Sequence, residues 1–264
     1  MDASPGVALK VEQFMSICAA LDLDSIGGLD GDKVSGSTDD EMPDYRGYSQ
    51  RDTAEFIQFV ISRLMKEESG HGNTLKTLFE GIRTRKTKCK CGDESEKGDL
   101  FTTIELPLPD VEGRGQCRKG PSTTIQSLMQ EEFGGEEAMP GATCESCGST
   151  KDRIASHQIS EHPQSLIIQV KRTGFEVKKG NFVLYKKDTE VSAPHEIRVS
   201  DQLYRLAGII KHSGATATSG HYVAWVRRGD TWFHVDDSRV LDADSDKVAE
   251  VSATMALYQL AQTS

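Results

Sequence analysis

The chain has 264 residues, 36% hydrophobic and 27% charged, enough to bury one substantial core or two modest ones. Its 41 acidic and 31 basic side chains give a formal charge of -10, which disfavours the clustered positive surface that nucleic-acid binding needs and favours a protein partner. No run of about 18 apolar residues is present and the start has no signal-peptide layout, so the sequence predicts neither a membrane span nor secretion but an intracellular protein of cytoplasm or nucleus.

In chain order, residues 8–21 place Val11, Phe14, Met15, Cys18 and Leu21 at helical spacing, forming one buried stripe. Residues 27–44 are rich in Gly, Ser and Asp and read as a solvated loop. A stronger helix is predicted over 49–66: Ser49 and Asp52 have capping-box spacing, and Ala54, Ile57, Ile61 and Leu64 recur at helical period. A short apolar segment, 75–82, leads into the basic run RTRKTKCKCG. Residues 100–108 then read as one strand ended by Pro107 and Pro109, and 110–122 as an exposed connection. A helix is predicted near 125–133, followed by strands at 154–159, 165–172, 204–212, 221–227 and 231–235. Helices first and sheet later, with no internal repeat, predict an α+β fold.

The segment from Tyr204 to Val240 holds the sharpest pattern: a strand, a Gly/Ser loop and a hairpin. If Gly229 and Asp230 form a two-residue turn, Arg228 faces Thr231 and the same register carries His221 opposite Ser238. Alternation then places Asp236 on the face of His221, diagonally across, and turns Asp237 the other way. A carboxylate bonded to one imidazole nitrogen fixes the tautomer and leaves the other to take a proton from a nucleophile. The competing reading is a structural histidine beside a solvated Asp-Asp turn, and a one-residue slip would exchange the two aspartates.

Of six cysteines, Cys144 and Cys147 have the C-x-x-C spacing of a zinc knuckle. Cys89 and Cys91 lie on one face of an extended strand and can share a metal only where a turn draws them together. Four such ligands make a structural site with no open position for catalytic water, and the alternative is a set of free thiols. Cys117 reads as a bystander in the connection.

Several of these segments resemble the ubiquitin-specific protease family. Tyr204, His212, Gly214, Gly220, His221, Tyr222, Trp232, Asp236 and Asp237 match its His box. Tyr48 to Phe56 is similar to its Gln, Asp, Glu-Phe helix start, with Arg51 where Gln is usual. Leu78, Phe79 and Gly81 stand where expected before the first cysteine pair. LIIQVKR at 166–172 resembles a family strand, with Thr173 where Phe is usual, and 255–258 resembles the closing strand. The resemblance implies a papain-like cysteine protease fold of thumb helices and β-rich palm and fingers, with the fingers at about 82–172 and the palm at about 200–262 of a domain covering 49–264. It implies deubiquitination, cleaving the isopeptide bond after the ubiquitin C-terminal Gly, without a catalytic cofactor. His221 is the expected general base, Asp236 its orienting carboxylate and Asp237 a supporting polar residue. Gly214, Gly220 and Tyr222 are the expected substrate contacts. Cys89, Cys91, Cys144 and Cys147 are the expected ligands of a structural zinc, and ubiquitin or ubiquitinated proteins the expected partners.

The family's Gly-Asn-x-Cys stretch has no counterpart here. Cys18 sits on an apolar stripe and reads as a buried structural residue, so no nucleophile is assigned. The expectation is an N-terminally incomplete domain whose residues 1–48 are a thumb remnant and an acidic loop. A catalytically inactive ubiquitin-binding or scaffold relative is the alternative.

Overall fold

The computed structural model describes residues 57–58, 61–62, 74–113, 115–178, 180–216, 220–237 and 239–261. The expected helix at 8–21, the loop at 27–44 and most of the helix at 49–66 lie outside the described residues. Ile57, Gln58, Ile61 and Ser62 are helical, and Ile57 and Ile61, four residues apart on one helical face, are both buried.

The largest sheet runs in the order β16 (Arg239–Ala243), β15 (Thr231–Asp236), β14 (His221–Arg228), β13 (Gln202–Ser213), β17 (Met255–Leu260), β8 (Ser165–Lys171) and β3 (Thr103–Pro107). A further strand, β12 (Glu196–Val199), also pairs with β13. Apolar clusters cover both faces. Leu166, Ile168 and Val170 of β8 join one cluster with Leu106, Ile125, Tyr204 and Tyr258, whereas Ile167 joins the other with Ile57, Ile61, Phe79 and Leu257. Burial on both faces is why this strand reads as a continuous apolar run rather than an alternating one. A register shift between Leu206 and Gly208 breaks the alternation of β13, so Leu206 and Ile209 share the first cluster while Ala207 and Ile210 share the second.

A second sheet, ordered β2 (Glu94–Phe101), β1 (Gly81–Cys89), β7 (Arg153–Glu161) and β6 (Glu136–Ala138), carries the cysteine pairs at one end. α1 (Thr74–Phe79) leads into it. α2 (Ile125–Phe133) is capped by the Thr124 hydroxyl, which accepts from the Ser127 amide, and it buries Ile125, Leu128 and Met129 in the first apolar cluster. A short α3 (Ser245–Ala249) buries Val248 in the same cluster.

The strand expected at 100–108 is two strands. Phe101 ends β2 and Thr103 begins β3, because the chain crosses at Thr102 from one sheet to the other and pairs there in parallel with β8. The connection at 110–122 is not merely exposed. It contains β4 (Cys117–Arg118), where Arg118 is buried, stacks on Tyr185 with its guanidinium carbon 3.8 Å from the ring centroid, and pairs with Glu176. β4 adds to the hairpin of β9 (Thr173–Lys178) and β10 (Asn181–Lys187), which the sequence reading passes over. β5 (Thr123–Thr124) and β11 (Val191–Ser192) form a small parallel pair beside it.

Arg172, between β8 and β9, joins these parts. Its guanidinium donates to the carbonyls of Lys187, Thr189 and Ala253 and to the Ser252 hydroxyl, and burial pushes its pKa down to about 10, so it stays charged at neutral pH. Arg172→Leu removes the donor from three carbonyls and is expected to cost about 3 kcal/mol or more, while Arg85→Leu on the exposed part of β1 stays within about 0.5 kcal/mol. Urea unfolding of the two variants checks this, and equal midpoints would refute the clamp.

Candidate functional site

The turn at Gly229 and Asp230 pairs Arg228 with Thr231, and the register runs unbroken to Ala224 opposite Val235. His221 opens β14 opposite Ser213 of β13, and Asp236 closes β15 opposite Arg239. Alternation therefore sets His221 and Asp236 on the face that carries the stacked Trp225 and His234 rings, 4.6 Å apart between centroids. The His221 Nε2 lies 2.6 Å from Asp236 Oδ1, with both side chains a little over one-third exposed. The bond from His221 holds the Asp236 carboxyl below its ordinary range; partial burial opposes this, and the charges of His221, His234 and Arg239 add to it. The expected diagonal pairing of His221 with Asp236 is thus present, while Ser238 lies outside the described residues.

Asp237 departs from the alternation argument. It sits beyond β15 with φ at 52°, so strand geometry no longer governs it, and its carboxylate returns to within 4.8 Å of the His221 and Asp236 ligand atoms. One of its oxygens is buried without a hydrogen-bond partner among the described residues.

The approach to His221 is tightly built. A Cβ on Gly220 would lie 2.2 Å from His212 Nε2 and 2.4 Å from the Ser213 carbonyl, so only glycine fits this close to the end of β13. His212 stacks on Tyr222 across the strand pair at 4.6 Å between ring centroids, and Tyr222 packs on the second core cluster. The Gly214 carbonyl accepts from Lys186 Nζ at 2.7 Å. The sequence reading missed Lys186, because nothing in the string YKKD marks either lysine as buried.

At the far end of the second sheet, the cysteine pairs converge. Cys89 ends β1, and Gly92 at φ +94° turns the chain so that its amide donates to the Cys89 carbonyl, which supplies the turn the sequence reading required. Cys144 begins a second turn closed by the Gly148 amide. Cys89 Sγ lies 3.8 Å from Cys147 Sγ, Cys91 Sγ lies 3.7 Å from Cys144 Sγ, and all four sulfurs fall within 4.8 Å of one another. A zinc tetrahedron with bonds of about 2.3 Å has sulfur edges of about 3.8 Å, so these residues fit a structural zinc. Asp93 ties the two turns together through the Ser146 hydroxyl at 2.7 Å and the Cys144 thiol at 3.5 Å. Without metal, the Cys147 amide favours the Cys144 thiolate, but burial and the neighbouring thiols push its pKa up to about 12. Metal loading therefore has to release protons. Cys117, exposed on β4, stands outside this cluster.

A sheet that holds an imidazole against a carboxylate, joined to a second sheet ending in a four-cysteine knuckle, has the architecture of the papain-like cysteine proteases that act on ubiquitin. The chain belongs to the ubiquitin carboxyl-terminal hydrolase family, whose sequence profile matches residues 10–258. It is 24% identical over 264 residues to ubiquitin carboxyl-terminal hydrolase 3 of Mus musculus, covering 82% of this chain and 50% of that protein. It is 27% identical over 250 residues to ubiquitin carboxyl-terminal hydrolase 8 of Saccharomyces cerevisiae, with the same coverage. Among solved structures, the SAGA DUB module of Ubp8, Sgf11, Sus1 and Sgf73 bound to monoubiquitin matches with a TM-score of 0.68 and 26% identity, covering 83% of this chain and 50% of that one. The same module bound to ubiquitin aldehyde matches with a TM-score of 0.68 and 25% identity, covering 83% and 51%. This chain spans about half the length of these relatives. No helix among the described residues is long and apolar enough to cross a membrane.

Two measurements follow from the geometry. Metal analysis is expected to find one zinc per chain, and a chelator or Cys144→Ser to lower Tm by roughly 10 °C; a metal-free chain of unchanged Tm would dismiss the knuckle as a zinc site. The depressed carboxyl of Asp236 makes its contribution fully present above the unfolded value of about 3.9, and that contribution is lost as pH falls through the lower folded value. Melting curves across acidic pH should therefore fall more steeply in the wild type than in Asp236→Asn, and superimposable acid limbs would mean the pair does not form in solution.

Proposed function

We propose that this protein recognises ubiquitin and takes part in hydrolysing the isopeptide bond after the ubiquitin C-terminal glycine. The observation that carries this is the 2.6 Å bond between His221 Nε2 and Asp236 Oδ1. With Nε2–H donated to the carboxylate, the imidazole lone pair sits at Nδ1, the nitrogen that takes the proton of a thiol. The thiolate attacks the glycine carbonyl, and the imidazolium returns its proton to the departing lysine amine. Water then attacks the acyl-thioester, again giving its proton to His221, and the thiol is regenerated. Asp236 keeps the ring in the required tautomer and stabilises the imidazolium. Asp237 supports the site with the carboxylate oxygen that has no described partner.

No described cysteine joins the His221 group, so the nucleophile is a thiol presented from outside the described residues, where Cys18 also lies. Gly214, Gly220 and Tyr222 shape the cleft that takes the ubiquitin tail, and the regions at about 82–172 and 200–262 serve as fingers and palm. The four cysteines hold the finger tip when zinc is bound, and the metal supplies structure rather than chemistry. The solved relatives bound to monoubiquitin and ubiquitin aldehyde support ubiquitin as the partner, and a ubiquitin-directed role goes with work inside the cell, in cytoplasm or nucleus. A chain that only bound ubiquitin would have no use for an imidazole held in one tautomer, which favours catalysis over the scaffold alternative.

The test is reaction of the purified chain with ubiquitin bearing a C-terminal thiol-reactive warhead, read by intact mass, beside a direct ubiquitin-binding measurement. Binding is expected. An adduct that is lost in Cys18→Ala and slowed about 10²-fold or more in His221→Ala would name the nucleophile. Binding without an adduct would place the thiol on another segment, and no binding at all would sink the proposal.

A further inference from the structure

Lys186 and Lys187 are neighbours on β10, yet they are only 3% and 7% exposed. Adjacent strand residues point to opposite faces, so the two ammonium groups leave the strand in opposite directions. Lys187 Nζ donates to the Leu108 carbonyl at 2.7 Å and pairs with Asp110 Oδ1 at 2.7 Å, while the Tyr185 hydroxyl donates to the same Asp110 oxygen. That side fastens β10 to the segment following β3.

The other side reaches the candidate active site. Lys186 Nζ donates to the Gly214 carbonyl at 2.7 Å and pairs with Asp188 Oδ1 at 3.1 Å, while its backbone amide donates to the Gln116 carbonyl. Gly214 directly follows Ser213, the residue paired with His221. A buried ammonium carries a desolvation cost that an apolar side chain would avoid, so its retention here calls for a task that an apolar residue cannot perform. Asp188 balances the charge, and a charge-assisted bond is then directed at one carbonyl beside a loop of small residues.

We propose that Lys186 is a positioning residue for His221: its ammonium holds the Gly214 carbonyl, and through the adjoining Ser213, the strand partner of His221, keeps the imidazole seated against Asp236. Lys186 touches neither the scissile bond nor the imidazole. It transmits the rigidity of the β4–β10–β9 sheet to the start of β14. The proposal rests on the reading of His221 as the general base, and it needs a readout that does not depend on turnover.

The experiment compares the wild-type chain with Lys186→Met and Lys186→Arg by hydrogen exchange and by imidazole nitrogen NMR. In Lys186→Met, amides across 212–222 are expected to exchange about tenfold faster or more, while those of α2 and β17 keep their rates. The His221 imidazole is expected to move from a single Nε2–H signature to averaged tautomers, and Lys186→Arg to restore both readouts at least in part. An unchanged loop and an unchanged His221 signature in a folded Lys186→Met protein overturn the proposal. If that variant does not fold, Lys186→Arg decides: a retained His221 signature supports the clamp, and an averaged one overturns it. Ubiquitin binding by the wild type is measured separately, so a failed substrate reading leaves the exchange and imidazole results to judge Lys186 alone.

Discussion

The antiparallel ladder through β13, β14 and β15 is the constraint on which the molecule depends. β13 pairs with β12, β14 and β17 and is buried against apolar clusters on both faces, so a slip of one residue would drive a full set of side chains into the wrong layer. The Gly229–Asp230 turn hands that register on to β15. His221 and Asp236 meet at 2.6 Å because core packing has already decided which residues face which. The site geometry is thus held by apolar burial, a force that acts well away from the polar pair itself.

Buried and half-buried cations do a different job. Arg118, Arg172, Lys186 and Lys187 lie close together in sequence or space, and each directs at least one donor at a main-chain carbonyl where segments meet. A carbonyl at a chain crossing has no ladder partner, and a long cationic side chain can supply one from a distance. This arrangement keeps the β9–β10 hairpin standing although Phe175, Val177, Phe182 and Leu184 are largely exposed on one of its faces.

The cysteine knuckle plays a comparable part at the end of the second sheet, where the core has run out. β1 and β2 carry charged cross-strand pairs such as Lys88 with Glu94, at 2.8 Å and well exposed, and such pairs add little stability. Two turns that bring four sulfurs to tetrahedral spacing supply the closure that apolar burial cannot provide there.

Much of this was legible in local patterns. The hairpin turn, the face shared by His221 and Asp236, the need for a turn after Cys89 and the extent of α2 all follow from periods of two or 3.6 residues and from turn chemistry, which act between near neighbours. The break at Thr102 and the burial of Arg118 were not legible, and the return of the Asp237 carboxylate to the site was implied by the family resemblance but not by strand alternation, because each depends on which distant strand the segment meets or on a left-handed turn. Lys186 is the clearest case: its neighbours YKKD describe an ordinary solvated strand end, and only the loop folding back from Ser213 brings a carbonyl within its reach. The sequence by itself determined the family, many of the elements and the pairing of His221 with Asp236, because these rest on residue type at short spacing. The tertiary structure alone decided which charges are buried and what they hold, because that is set by partners far away in the chain.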